Sequence, residues 1–278
     1  KNNREEIKMN KVALIIPYFG KWPEWMDLYL FSCSKQHNID FVFYTDCVIP
    51  VRIYKNTIFH QISFEDYCAF VSKRLLIPFH PKAAYKLCDL KVFYGIVHEN
   101  DLQGYEWWGF GDIDLVYGEL SLLVNEDNLQ KYDLLTTHVD RIAGHFTIIR
   151  KDSKYTDLCK EIPDWKKLLC DAENHGIDEN AFTRKAMSFK YKMVGKLYYY
   201  IMRRITSPNS KHYWYSKLET LIRLLPSRIL MKEFFTTFKP KPGQVCTYNP
   251  LTSTLSCPTN QISRMQFGGG NLLTFHVL

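Results

Sequence analysis

Short apolar runs alternate with amphipathic stretches through the first half of the chain. Lys11-Val-Ala-Leu-Ile-Ile-Pro17 carries no polar position between its ends, the pattern of a strand buried on both faces. Tyr18-Phe19-Gly20 reads as a loop. Pro23 then opens a helix to about Gln36 that gathers Trp25, Leu28, Tyr29 and Phe31 toward one face. Asp40-Phe-Val-Phe-Tyr-Thr-Asp46 is the second strand. Strand, helix and strand at this spacing form a βαβ unit, whose ligands sit at the carboxyl ends of the strands. Those ends are Pro17, Tyr18, Phe19, Thr45 and Asp46, although the same residues also suit a plain loop.

Val51 to Ile62 supplies one or two further short strands, and Ser63 with Asp66 three residues on caps a helix reaching about Leu76. Pro78 and Pro81 break the chain before Lys82-Ala-Ala-Tyr-Lys-Leu-Cys-Asp-Leu-Lys-Val-Phe-Tyr-Gly95, which predicts a helix with Leu87, Leu90 and Tyr94 as its buried stripe. Lys86, Asp89, Lys82 and Lys91 then fall on a polar side, which fits a ligand or an ordinary solvated face.

Trp107-Trp108-Gly109-Phe110-Gly111-Asp112-Ile113-Asp114-Leu115 predicts a strand that delivers two carboxylates two residues apart. In an extended segment such residues share a face, roughly 6 to 7 Å apart, and can bracket one divalent cation. Gly109 and Gly111 remove bulk beside them. Gly and Asp are also turn formers, so the motif alone leaves a simple turn open.

Short helical pieces at Leu120 to Val124 and Asp127 to Tyr132 precede strands at Asp133 to Thr137 and His145 to Arg150, joined by the polar stretch from His138 to His145. Helices follow at Tyr155 to Lys160 and Asp164 to Ala172, and another starts at Asp178, placed to cap it. Between Lys190 and Phe235, Lys196, Arg203, Arg204 and Arg228 interleave with aromatic residues and leucines. That pattern predicts two amphipathic helices, suited to an anionic membrane interface or to a surface pair packing its aromatics inward. Lys239 to Cys257 reads as a long loop, and Gly268 to Asn271 leads into a strand ending at Leu272 to His276.

With 46% hydrophobic residues over 278 positions, the chain can bury a sizeable core. The 18 Tyr, 18 Phe and 6 Trp suit both that core and stacking platforms. A net charge of +7, concentrated in the second half, points to phosphate or an anionic surface, and no RNA-binding motif accompanies it, so no nucleic-acid partner is expected. None of the eight cysteines forms a C-x-x-C pair, which predicts free thiols in a reducing compartment. No signal peptide and no apolar run of about 18 residues is present, which predicts a cytoplasmic protein, peripheral on the inner face of the cell membrane if residues 190–235 bind lipid. Met9 fits a natural start, the alternative being that the polar residues before it are an addition.

The strand and loop at Ile15 to Gly20, the helix Tyr85-Lys86-Leu-Cys-Asp89-Leu-Lys91, and Gly111-Asp112-Ile113-Asp114-Leu115 resemble, in that order, glycosyltransferases of the GT-A fold. The likeness is to sugar transferases whose Ser-Asp-x-x-Arg-like helix precedes an Asp-x-Asp strand. Cys88 departs from that pattern, as do Trp107 to Gly111, which leaves subfamily and stereochemistry open. The resemblance implies an α/β, GT-A-like fold with a Rossmann-like nucleotide-binding half and a mixed, mainly parallel sheet flanked by helices. It implies a polar extension at 1–10 and one domain at 11–278. Within that domain, 11–118 holds the nucleotide sugar and 119–278, with the helical segment 190–235, holds the acceptor.

It further implies Mn²⁺ or Mg²⁺ between Asp112 and Asp114, with His276 as a further ligand, the base against Tyr18 or Phe19, Lys86 or Lys91 assisting the diphosphate, and Asp46 or Asp89 accepting from base or ribose. His138, Asp140, Arg141, Gly144 and His145 shape the sugar pocket and acceptor side. Asp178 or Glu179 acts as a base in an inverting reaction or binds a hydroxyl in a retaining one. The acceptor is a glycan or lipid-linked glycan. The rivals are a sugar nucleotidyltransferase, against which stands the lack of a Gly-rich basic loop after the first strand, and a non-catalytic glycan- or membrane-binding module.

Overall fold

The computed structural model describes residues 12–138, 141–187 and 227–232, together with the backbone of 247–249, 254–256 and 275–276. Its strands are β1 (Val12–Pro17), β2 (Ile39–Thr45), β3 (Thr57–Gln61), β4 (Trp107–Gly111), β5 (Leu115–Val116), β6 (Leu134–Thr136), β7 (Phe146–Arg150), β8 (Ile229–Met231), β9 (Thr247–Asn249), β10 (Thr254–Ser256) and β11 (Phe275–His276). A seven-stranded mixed sheet runs in the order β3-β2-β1-β4-β7-β6-β8. The β3, β2, β1 and β4 strands are mutually parallel, β7 is antiparallel to both neighbours, and β8 is again parallel to β6. This is an α/β architecture with a mixed, mainly parallel sheet flanked by helices, as the resemblance implied, and β1 and β2 are the strands that the apolar runs predicted.

Because strand side chains alternate between faces, the sheet feeds two cores. Ala13, Ile15, Val42, Tyr44, Trp108 and Phe110 pack on one side, against helix α2 (Phe64–Leu75) and the segment 84–97. Val12, Leu14, Ile16, Phe41, Phe43 and Trp107 pack on the other, against helix α1 (Met26–Ser34). The βαβ crossover is fastened by Asn56, whose two Nδ2 hydrogens are shared among the carbonyls of Cys33, Gln36 and Ile39 at 2.9, 2.9 and 3.0 Å. Ser63 caps α2 as its sequence predicts, accepting from the Asp66 amide at 3.0 Å.

Five expectations are corrected. The 82–95 stretch is not an α-helix but a ten-residue 3-10 helix, Ala84–Phe93, continued by a short α-helical turn at Tyr94–Val97. At three residues per turn, positions i and i+3 eclipse, which stacks Leu87, Leu90 and Phe93 in one row and Lys86 over Asp89 in the next. The helix therefore has no solvated basic face, and Lys86, Asp89 and Lys91 are all buried.

The strand predicted over Trp107 to Leu115 is broken: β4 stops at Gly111 and β5 resumes at Leu115, leaving the two aspartates in the gap. Asp178 does not cap an α-helix. It opens a π-helical turn, Asp178–Phe182, in which the Phe182 amide reaches back to the Ile177 carbonyl. Within the predicted helical segment 190–235, residues Ile229–Met231 are a strand, and Arg228 just before it is paired with Asp133 at 2.8 Å. The rest of that segment lies outside the described residues. Finally, the tail read as a loop contains an antiparallel pair, β9 with β10.

Among the described residues no helix is long and apolar enough to cross a membrane. Cys33, Cys47, Cys68, Cys88, Cys159 and Cys170 are free thiols, all buried or half-buried except Cys170.

Candidate active site

A cavity of about 680 Å³ opens at the carboxyl ends of β1 and β4. It lies where the strand order leaves a crevice, the usual ligand position in open α/β sheets. Pro17, Tyr18 and Phe19 form its wall after β1, and Asp112, Ile113 and Asp114 its wall after β4.

Gly111 shapes that second wall. A Cβ there would stand 2.7 Å from the Tyr117 hydroxyl, 3.0 Å from Leu14 Cδ2 and 3.2 Å from the His145 carbonyl, so the bare backbone of glycine lets these groups close in on the end of β4. The Asp112 amide still donates to the His145 carbonyl at 3.2 Å, and the Trp25 indole donates to the Ile113 carbonyl at 2.9 Å. The loop carrying the aspartates is thus gripped from β7 on one side and from the start of α1 on the other.

Lys91 crosses the floor of the cavity. Its Nζ donates to Asp112 Oδ1 at 2.5 Å and to the Gly144 carbonyl at 3.0 Å. Burial works against its charge, but the carboxylates of Asp112 and Asp178 outweigh burial and hold its pKa above the ordinary value. Asp178 stands across from it. A Cβ on Gly144 would lie 2.6 Å from Asp178 Oδ2 and 3.4 Å from Lys91 Nζ, so a glycine is what allows carboxylate and ammonium to share this space.

Burial pushes the Asp178 carboxyl up to about 6, against the lowering influence of Lys91 and of the Glu179 amide, which donates to its Oδ1 at 2.9 Å. Cys88, also on the cavity wall, is pushed up to about 11 by burial and is therefore a neutral thiol.

Of the residues singled out in the sequence, the cavity brings together Pro17, Tyr18, Phe19, Lys91, Asp112, Asp114, Gly144, Asp178 and Glu179. The others sit elsewhere. Thr45 is buried and accepts from the Cys47 amide, and exposed Asp46 accepts from the Gly20 amide at 2.7 Å. Lys86 and Asp89 lie behind the wall, bonded to each other at 3.0 Å. His145 is buried with Nε2 3.0 Å from the Thr137 hydroxyl, His138 packs edge-on against it, and Arg141 pairs with Glu179 at 3.3 Å.

Asp140 falls outside the described residues. For His276 the backbone alone is described, and its register sets it opposite Leu115, next to Asp114. Sequence reasoning missed Trp25, Tyr85, Asn174 and Gly176 as cavity residues. Asn174 and Gly176 carried a turn signal, and Gly176 indeed adopts a left-handed φ of 56°. Nothing local marked Tyr85, which is 72% exposed at the rim.

The fold and site define an α/β protein with an acid-lined cavity at the carboxyl ends of its parallel strands. The chain belongs to a family of unknown function (DUF6625), which matches it over residues 14–221. Among solved structures it is similar to the glycosyltransferase GlyE of Streptococcus pneumoniae TIGR4, at 10% identity and a TM-score of 0.34, over 77% of this chain and 62% of that one. This chain thus spans less than two thirds of that structure. No curated protein matches it.

Proposed function

We propose that the protein is a metal-dependent glycosyltransferase, moving a hexose-type sugar from a nucleotide-diphosphate donor to a hydroxyl of a glycan or lipid-linked glycan. One observation carries this reading: Asp112, Asp114, buried Lys91 and Asp178 converge on a single cavity where a parallel sheet presents its strand ends.

The residues fit a hard cation. Mg²⁺ and Mn²⁺ prefer oxygen ligands, and Mg²⁺ is commonly held by one or two carboxylates plus substrate phosphates and water. Asp112 and Asp114 supply that number. Among the described residues no group of three or more candidate ligands forms a self-sufficient metal cage. His276 is proposed as a further ligand on the strength of its register beside Asp114. When bound, the cation neutralises charge on the departing diphosphate.

The protein's own groups do the rest. Lys91 fixes Asp112 and the Gly144 carbonyl, so the acidic wall is oriented before a donor arrives. Tyr18, its ring stacked on Trp22 with centroids 5.1 Å apart, offers a rigid platform for a base. Asp178, with its pKa near 6, is mostly ionised at neutral pH yet basic enough to take a proton from an acceptor hydroxyl in an inverting reaction. In a retaining reaction it accepts a hydrogen bond from the sugar instead. Glu179, tied to Arg141, serves beside it.

Screening nucleotide sugars for Mn²⁺-dependent thermal stabilisation and hydrolysis tests the proposal. A donor that stabilises the protein only with metal, and fails to do so for Asp112→Asn and Asp114→Asn, supports it. If no nucleotide diphosphate binds with metal present, and both variants behave as wild type, the protein is not such an enzyme.

A further inference from the structure

Behind the cavity wall lies a buried charged cluster that the proposed reaction does not use. Lys86 is 4% exposed and Asp89 fully buried. The three N–H groups of Lys86 Nζ are shared among four acceptors: Asp89 Oδ2 at 3.0 Å, Asp171 Oδ1 at 3.1 Å, the Leu168 carbonyl at 2.7 Å and the Glu173 carbonyl. Asp89 in turn accepts from the His175 amide at 3.0 and 3.1 Å and from the Ile177 amide at 3.2 Å. His175 Nε2 closes the ring, 2.7 Å from Asp171 Oδ2. Every partner beyond the pair itself belongs to residues 168–177, which immediately precede Asp178 and include the cavity residues Asn174 and Gly176.

Charges taken out of water are retained only when well paired and hydrogen-bonded. Here two opposite charges sit in the interior, and beyond each other they bond to the backbone of one segment and to its Asp171 side chain. We propose that Lys86 and Asp89 form a positioning pair that anchors residues 168–177 and so sets Asp178 and Glu179 on the cavity wall, touching neither donor nor acceptor. For its catalytic consequence, though not for the anchoring, this rests on the transferase reading above. It also separates Asp89 from Lys91: the 3-10 winding turns Lys91 into the cavity and the row of Lys86 and Asp89 away from it.

Asp89→Asn and Asp171→Asn test the pair in the full chain. In each, hydrogen exchange of peptides spanning 171–180 is expected to accelerate by about tenfold or more, the loss of one charge-assisted bond, while peptides covering β1 and β4 exchange as in wild type. With an active donor, kcat falls by about tenfold to a hundredfold and donor KM stays unchanged, because misplacement of Asp178 is a defect of geometry and not of donor binding. Asp171→Glu, which keeps the charge, restores most of both.

Unchanged exchange in both asparagine variants overturns the proposal, as does a rise in donor KM with kcat preserved, which would make Asp89 a donor contact. If Asp89→Asn does not fold, the half-exposed Asp171→Asn carries the test. If wild type turns over no nucleotide sugar, the transferase reading fails, and exchange alone decides whether the segment is anchored.

Discussion

Asp178→Asn isolates the cost of keeping a charge in the cavity wall. Asparagine preserves shape, and its amide oxygen can still accept from the Glu179 amide, so the difference between the two proteins is mainly the charge. The wild-type carboxyl titrates near 6 in the folded protein against an ordinary value of 3.8, the net of burial raising it and Lys91 lowering it. Below pH 3.8 both folded and unfolded chains hold the proton, and no penalty exists. Between 3.8 and 6 the unfolded chain releases it while the folded chain keeps it, so stability falls as pH rises. Above 6 the penalty is constant, at about 3 kcal/mol for the full difference in pKa. The asparagine variant escapes this penalty and should therefore melt about 5 °C higher than wild type at pH 7. The gain should shrink through pH 5 and disappear below about pH 4, with transfer activity lost throughout. Thermal melts across pH 4 to 8 without added metal measure it. Melting curves that shift in parallel for both proteins at every pH would show that Asp178 is not held in a charge-averse environment.

Lys91→Met should cost transfer at least about a hundredfold by freeing the Asp112 loop, and should move the acid limb of the Asp178-dependent pH profile above about 6, since Lys91 lowers that pKa; steady-state rates against pH check both. In Gly95→Ala the new Cβ would stand 2.6 Å from Cζ2 of Trp108, whose indole is fixed by a 3.0 Å bond to Thr156. A loss of about 3 kcal/mol in denaturant titration is expected, with donor affinity retained in the folded fraction. Asn56→Ala strips the donor from three carbonyls that join α1 to the sheet; it should also cost about 3 kcal/mol, seen as a lower urea midpoint with an unchanged slope.

The sheet was legible because its strands are buried on both faces and so read as unbroken apolar runs, Val12 to Ile16 and Phe41 to Tyr44 above all. The site was legible where chemistry and strand ends coincide, at Pro17 to Phe19 and at Asp112 and Asp114. What escaped was set by winding and by distant contacts. Lys86 and Asp89 look like a solvated face at 3.6 residues per turn and become an interior row at 3.0, a change that their partners at 168–177 favour and that no local pattern records. Ile229–Met231 sits among basic and aromatic residues that suit a helix, yet it pairs with β6 from far along the chain. The crowding that requires glycine at 111 comes from the Tyr117 hydroxyl and Leu14, neither adjacent to it in sequence.

The placement of β8 has a consequence for how the protein is made. Its neighbour β6 is synthesised early, and the bond joining the two flanks, Arg228 to Asp133, spans residues 95 apart. As the nascent chain emerges, β1 to β7 can already assemble, but the edge of β6 that pairs with β8 waits until β8 has itself left the ribosome. An unpaired edge of Leu134 and Leu135 is a template for pairing with a neighbouring nascent chain. Expression stopped between residues 187 and 227 should therefore yield a chain that holds β1 to β7 but not β8 and has a strong tendency to associate, whereas chains carried past β8 close that edge for themselves.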